Sequence, residues 1–410
     1  MDLVLSGARL GDGSQVDIGV TGGLISSVTA AGTSAHPDAV AHDLGGWLLL
    51  PAMAEPHAHL DKALTAEKVP NPAADLLGAI EAWTAAADAG MFTHADIVER
   101  AVRAMELLLV HGVTVVRTHV NVGSEVGVAA VVALQEARAR LDGLLDVQLV
   151  ALTHCPMTGP EGAGNRAALA EALEVGVDLV GGCPHLDPDG AELIRHALAA
   201  ATEAGLGVDL HVDETLDPTV SNLREFARQV RDIGFEHPVA ASHCVSLGMQ
   251  PPEVQTEIAR EVAEAGIAVF PLPQTNLYLQ SRDRPSGTPR GLTAVTALQE
   301  AGVLVAAGAD NVQDPFNLVG RSDPLETAAL MVLAGHQRPE AAYGMVSNEV
   351  REAIGLARVE IEVGDPADLL AIDAPSVRGA VADAPMSRRV YRRGVLVGSC
   401  DHSETVHRDP

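Results

Sequence analysis

The sequence predicts an α/β protein: a (β/α)8 barrel of the TIM type, with a small β-sandwich domain assembled from both ends of the chain. Three observations carry this expectation. Between about residues 51 and 355, short apolar runs alternate with amphipathic stretches, the pattern of βα units around a parallel sheet. Both flanks instead show two-residue apolar alternation broken by glycine-rich turns. Finally, polar or ionisable residues follow each predicted strand of the middle region, as expected where strand ends converge on one barrel mouth.

In chain order, residues 1–50 are expected to form the first part of the small β domain, through runs such as Leu3-Val4-Leu5 and Leu24-Ile25-Ser26-Ser27-Val28. The barrel is expected over 51–355, its eight strands at 48–54, 113–117, 147–152, 175–181, 207–210, 239–242, 267–270 and 304–308. Amphipathic spacing places helices between them, for example at 95–110, 167–173, 190–204, 220–233 and 254–265. Residues 356–410 would complete the small domain, through Asp368-Leu369-Leu370-Ala371-Ile372 and the run from Arg389 to Val397. An open, doubly wound sheet is the competing architecture, but no GxGxxG follows the first strand to bind a dinucleotide.

Composition narrows the partners. Apolar residues make up 47% of the chain and charged residues 20%, while aromatics are only 2%, so the interior must be built from Ala, Val and Leu. A net charge of -28 repels phosphate backbones and anionic lipid, and a small neutral or cationic molecule suits that field. Neither nucleic acid nor membrane is expected as a partner, and the expected assembly is a homo-oligomer. Four cysteines (Cys155, Cys183, Cys244 and Cys400) form no CxxC pair, and Cys155, Cys183 and Cys244 at predicted strand ends are read as small buried fillers. With no signal-like N-terminus and no uninterrupted apolar span, a cytoplasmic location is expected.

The strand ends carry the chemistry. After the first strand comes Glu55-Pro56-His57-Ala58-His59, after the second Thr118-His119, and after the third Thr153-His154-Cys155. The fifth is followed by His211-Val212-Asp213-Glu214, the sixth by His243-Cys244, and the eighth by Asp310-Asn311. His57 and His59, two apart in extended backbone, put both imidazoles on one face. An isolated HxH is more often a pair of hydrogen-bonded core histidines, but here His211 and Asp310 recur at strand ends able to supply the remaining ligands of one divalent ion. Three imidazoles and one carboxylate suit zinc or iron.

Glu55-Pro56-His57-Ala58-His59-Leu60-Asp61, Arg117-Thr118-His119-Val120, His211-Val212-Asp213-Glu214, Ser242-His243, the run Asn276 to Arg282, and Asp310 to Phe316 together resemble the amidohydrolase superfamily, in particular its cytosine deaminase-like branch. The likeness spans nearly the whole chain. It implies a metal-dependent hydrolase of carbon–nitrogen bonds other than peptide bonds, with one metal held by His57, His59, His211 and Asp310. It further implies that Glu214 moves protons to a ring nitrogen, that His243 and Asp310 assist the attacking water, and that Phe316 covers a flat ring. His119, Gln280 and Asn276 are further candidates for contact with the substrate. Lys62 is read as a solvated or pocket-rim charge, since no lysine at the third or fourth strand end supports a bridged two-metal site.

Two departures move the expected specificity. His154 stands where the branch that deaminates cytosine has a glutamine, and Asn311 stands where it has a second aspartate. A site built to satisfy one heterocycle rejects another that leaves its polar groups unpaired, so cytosine itself is disfavoured. The expectation is hydrolytic deamination of an amino-substituted nitrogen heterocycle: a pyrimidine, pterin, triazine or creatinine-like ring. Release of an alkylamine and opening of a cyclic amide are the enzymatic alternatives, and a non-catalytic interaction protein is the remote one.

Overall fold

The structure is a computed structural model that describes residues 1–33, 39–284 and 286–407. Seven parallel strands follow one another around a barrel: Met53–Ala58, Val113–Val122, Asp146–Thr153, Leu179–Gly181, Gly207–Val212, Val239–His243 and Ala268–Phe270. Helices such as His94–Val110, Ala163–Val175, Gly190–Ala204, Asn222–Ile233 and Pro252–Glu264 cover its outside. Each follows its strand because its apolar stripe can be buried only against the strand pair it crosses.

The eighth place is taken by residues 304–310, which pair on both sides without forming a regular strand. Val305 bridges Val269 and Asp310 bridges Ala58, both parallel, so the ring closes. The irregularity has a cause in Glu55. Its carboxyl group lies between the first strand and this segment, accepting the backbone N–H of His57 at 3.1 Å and that of Ala309 at 3.1 Å. Gly308 makes room for it, since a Cβ there would stand 2.5 Å from Glu55 Oε1.

Two further predicted strands needed correction. The run 48–54 is two strands in different sheets: Leu48–Pro51 belongs to the terminal sheet and Met53–Ala58 to the barrel. The run 175–181 is mostly helix end and turn, with only Leu179–Gly181 in the barrel. In both cases an apolar run crosses a boundary that hydrophobicity alone does not mark.

The termini form a separate eight-stranded sheet ordered Val395–Cys400, Arg388–Arg392, Leu369–Ile372, Leu48–Pro51, Leu3–Arg9, Gln15–Thr21, Leu24–Ala30, with Val40–Asp43 alongside Leu3–Arg9. Leu3–Arg9 pairs with Val40–Asp43 along Leu3 to Ser6 and with Leu48 only at Arg9, so the sheet forks there. Its two parts enclose a core that includes Leu5, Ile18, Leu49, Leu369 and Tyr391.

Inside the barrel, side chains stack in layers along its axis. At the bottom, Ala54, Val115, Ala240, Ala306 and Phe270 pack with Val350 and Ile354 from the helix Asn348–Ala353 and its end. Above them lies a buried ion pair, Arg117 Nη1 to Asp209 Oδ2 at 2.7 Å. Two residues further along the same strands come His119 and His211, because alternate residues of a strand point the same way. The barrel floor thus presents a polar layer to the mouth.

Candidate active site and metal centre

Three imidazoles meet at this floor. The Nε2 atoms of His57, His59 and His211 lie 3.3, 3.2 and 3.1 Å from one another, and Asp310 Oδ1 stands 3.1 Å from His59 Nε2 and 3.5 Å from His57 Nε2. These separations match donors sharing one ion, because metal–nitrogen bonds of about 2.0–2.1 Å put neighbouring donors about 3.0–3.4 Å apart. Asp310 Oδ1 has no hydrogen-bond partner among the described residues, although it is buried. Without a cation, four electron-rich atoms would face one another out of reach of water. The donor set fits a divalent ion of zinc or iron type.

The far side of His57 shows how its tautomer is held. His57 Nδ1 is 2.7 Å from Ser242 Oγ, Ser242 Oγ donates to Asp209 Oδ1 at 3.3 Å, and Arg117 holds the other oxygen of Asp209. With its hydroxyl hydrogen committed to Asp209, Ser242 accepts from Nδ1, which leaves the Nε2 lone pair facing the cluster. His211 Nδ1 has no partner among the described residues. His59 Nδ1 faces the Nζ of Lys62 at 3.2 Å, so a donor rather than an acceptor stands behind that ring.

Beside this cluster lies a second group of polar side chains. Asn276 Nδ2 donates to Glu214 Oε1 at 3.3 Å and stands 3.1 Å from His243 Nδ1. With Nδ1 as acceptor, His243 carries its proton on Nε2, 4.0 Å from Asp310 Oδ2. His243 has φ 68° and Asp310 φ 68°, a left-handed backbone that turns each side chain from strand direction into the mouth. Glu214, His243 and Asp310 share one cavity of about 440 Å³ with His59 and His211.

The candidates for substrate contact divide. His154, Asn311 and Phe316 line the cavity. His154 packs against Gly123, where a Cβ would stand 2.8 Å from the imidazole ring. Asn311 is held at both ends, donating to Asp314 Oδ2 at 2.8 Å and accepting from Thr275 Oγ1 at 3.1 Å. His119 and Gln280 are not among the residues lining the cavity. His119 is buried, its ring stacked 3.9 Å from that of His57, which likewise is not among the residues lining the cavity. Gln280 instead donates to the backbone oxygen of Glu214 at 3.2 Å.

Comparison with known proteins identifies the family. The family model described as "Amidohydrolase family" matches residues 93–398. A pterin deaminase of Rhizobium rhizogenes is 32% identical over 93% of this chain and 88% of its own. The chain belongs to the amidohydrolase family. Among solved structures, 5-methylcytosine deaminase from Klebsiella pneumoniae, liganded with 5-fluorocytosine, superposes with a TM-score of 0.88 at 27% identity over 99% of both chains. An N-isopropylammelide isopropyl amidohydrolase of a Pseudomonas species is 24% identical over 97% of each chain. This amidohydrolase is therefore a hydrolase of carbon–nitrogen bonds, in a metal-dependent family.

Burial sets the protonation of the amidohydrolase's floor. It holds His57, His59, His119 and His211 well below the usual histidine range, and neighbouring positive charges add to the effect. Neutral imidazole is the form that ligates a metal. Burial also brings His243 down to about 4 and raises Asp310 to about 6. Glu214 is pushed well above the usual carboxyl range, first by burial and then by the charge of Asp310. A carboxyl group of that kind can hold a proton at neutral pH.

Lys62 lines the cavity, as its pocket reading expected, but is buried rather than solvated: its Nζ donates to Asn121 Oδ1 at 3.0 Å and lies 5.8 and 5.7 Å from the ring centres of Trp83 and Phe316. Other residues of the site escaped the sequence reading. Asn121 was within reach of strand parity, since Arg117, His119 and Asn121 alternate on one strand. Trp83 sits on the helix Leu76–Asp88, which was not among the helices singled out. Cys155 and Cys183 line the cavity half-buried, whereas Cys244 is fully buried. Burial pushes the Cys155 thiol up to about 12, which leaves it protonated and a poor nucleophile.

Proposed function

We propose that the chain is a hydrolytic deaminase of a 2-amino-4-oxopteridine, a fused amino heterocycle of the pterin class, using one divalent ion, zinc or iron, on His57, His59, His211 and Asp310. The observation that carries this reading is the convergence of that donor set with Glu214 and His243 at the end of a cavity of about 440 Å³, a volume suited to more than a single small ring. The 32% identity to a pterin deaminase supports the choice of ring over cytosine. So do His154 and Asn311, the two positions that differ from the cytosine-directed pattern.

When bound, the ion supplies Lewis acidity that lowers the pKa of water towards neutrality. In this reading His243, through its Nε2–H, and Asp310 orient the attacking water. Its oxygen bonds to the ring carbon that carries the amine. Glu214, which holds a proton, gives it to the adjacent ring nitrogen as the water's oxygen attacks, takes one proton from that water, delivers it to the amine as the carbon–nitrogen bond breaks, and recovers the remaining hydroxyl proton as the carbonyl forms. Ammonia and the ring carbonyl are the products. Phe316 covers the ring face, while His154 and Asn311 meet its polar edge.

The same reading divides the chain into 1–50, 51–355 and 356–410, the outer two parts forming one β domain. It makes the protein a cytoplasmic homo-oligomer that acts on small molecules and not on nucleic acid. The net charge of -28 supports the last point. No helix among the described residues is long and apolar enough to cross a membrane.

The test is ammonia release by zinc- or iron-loaded protein from 2-amino-4-oxopteridine, cytosine, isocytosine and an aminotriazine side by side. The pteridine is expected to lead. Glu214→Gln should lower kcat by at least about 100-fold with metal content unchanged. No ammonia from any of the four, or an undiminished kcat in the variant, would falsify the assignment. Alkylamine from an N-alkylated ring would move the reaction class to that of the Pseudomonas relative.

A further inference from the structure

We infer that the outer half of the cavity is a seat for a neutral apolar arm carried by the substrate ring on the side away from the leaving amine. The helix Leu76–Asp88 builds one wall of it. Leu76, Ile80 and Trp83, spaced at four and three residues, fall on one face of that helix and line the cavity. Leu186, from the short turn Pro184–Leu186, and Phe316 also line it.

Three features favour an arm of the substrate over other readings. The first is that this helix already has buried residues to dock it, namely Ala79, Trp83 and Ala86, while Leu77 and Leu186 at the mouth are 64% and 38% exposed. The half-buried Leu76 and Ile80 border open space that is continuous with the floor. The second is rigidity. Trp83 is stacked on Phe92 with ring centres 4.3 Å apart, and Asn71, just before the helix, donates to the backbone oxygen of Pro315 at 3.1 Å, tying the wall to the loop that carries Phe316. A preformed apolar surface needs little ordering when it binds.

The third is charge and direction. Glu214 lies at the buried end, and the amine must leave beside it. The apolar residues lie at the exposed end, so what they cover points towards solvent and away from the leaving group. The cation of the cavity, Lys62, is buried and engaged with Asn121 and His59, whereas Glu125 lines the same cavity exposed, and with the net charge of -28 it opposes an anionic arm at the mouth. Short alkyl and aryl substituents satisfy these conditions, and a carboxylate does not.

This inference rests on the deaminase reading, and the experiment separates the two. The probes are 2,4-dioxopteridines, the deaminated products, bearing hydrogen, n-propyl, phenyl or carboxylate at the ring position distal to the reacting carbon. Because they cannot be deaminated, their affinity for zinc-loaded protein reads the seat alone. The propyl and phenyl forms should bind at least about tenfold tighter than the unsubstituted form, and the carboxylate no tighter than it. Ile80→Asn, or Leu77→Asp at an already exposed position, should bring the propyl-to-hydrogen ratio close to one. Equal affinities for all four arms, a preference that survives both substitutions, or no binding of any form would overturn the inference. Release of propylamine from an N-propylated ring, sensitive to Leu77→Asp, would place the arm on the leaving amine and overturn it as well. A lack of ammonia from the 2-amino forms, with the arm preference intact, would defeat the deaminase reading and leave the seat standing.

Discussion

His57 depends on residues that touch no substrate. A ligating imidazole keeps one nitrogen free for the metal by giving the hydrogen on the other to an acceptor. Ser242 is that acceptor here because Asp209, locked by Arg117, takes up the serine hydroxyl hydrogen. Ser242→Ala and Asp209→Asn should each weaken zinc binding by about 10- to 100-fold in chelator competition, and an unchanged affinity would remove this chain of bonds from the account. Replacing His57 itself should strip the metal. At this scale the residues that meet at the cluster were readable because strand parity and strand-end position are written in spacing: His57 and His59 two apart, His211 and Asp310 after the fifth and eighth expected strands. That Lys62 is buried rather than solvated was not legible, because nothing in its neighbours shows that Trp83 and Phe316 close over it. Such contacts are set by chain segments remote in sequence.

At the scale of elements, the closing segment of the barrel shows what periodicity misses. The expected strand 304–308 is held by isolated bridges because Glu55 stands in for ladder bonds, a substitution made by one side chain. The helices Gly190–Ala204 and Pro252–Glu264 were legible from their apolar stripes, whereas Leu76–Asp88 carries apolar residues beyond its buried Ala79, Trp83 and Ala86, among them the cavity-lining Leu76, Leu77 and Ile80, which blurs its stripe. The loop after the closing segment turns on Asp314, which accepts from Asn311 Nδ2 and from the backbone N–H groups of Phe316 and Asn317. Burial raises Asp314 to about 7 from an ordinary 3.8. The folded state therefore holds a proton there that the unfolded chain releases. This contribution to stability is complete below about 3.8 and is lost as the pH rises through about 7. Asp314→Asn, which cannot ionise, should gain melting temperature relative to the parent by several degrees between those limits. A constant difference across that range would show that Asp314 does not titrate there.

Across the whole molecule, the terminal sheet and the barrel are joined by a buried charge. Arg388, in the strand Arg388–Arg392, donates to both oxygens of Asp323 at 3.0 and 2.7 Å and to the backbone oxygen of His111. Asp323 also caps the helix Pro324–Leu333 by accepting from Leu325 N. Arg388→Met would leave that carboxylate buried and unpaired, at a cost of about 3–5 kcal/mol in stability, read as a lowered melting temperature. Adding Asp323→Ser, which keeps a cap and removes the charge, should restore part of the loss. That both ends of the chain share a β unit was legible from their alternating patterns, but the Arg388 junction was not, since nothing in the run Arg388-Arg389-Val390-Tyr391-Arg392-Arg393 marks which arginine is buried.

The pairing of Leu48–Pro51 with Leu369–Ile372 has a bearing on how the chain is made. A ribosome delivers the first of these strands long before its neighbour, with the whole barrel between them. Throughout that interval one border of Leu48–Pro51 offers bare amide and carbonyl groups, along a strand whose leucines seek cover, an invitation to other nascent copies. Contacts so distant along the chain form slowly, so the arrival of Leu369–Ile372 sets the earliest moment at which this hazard is removed.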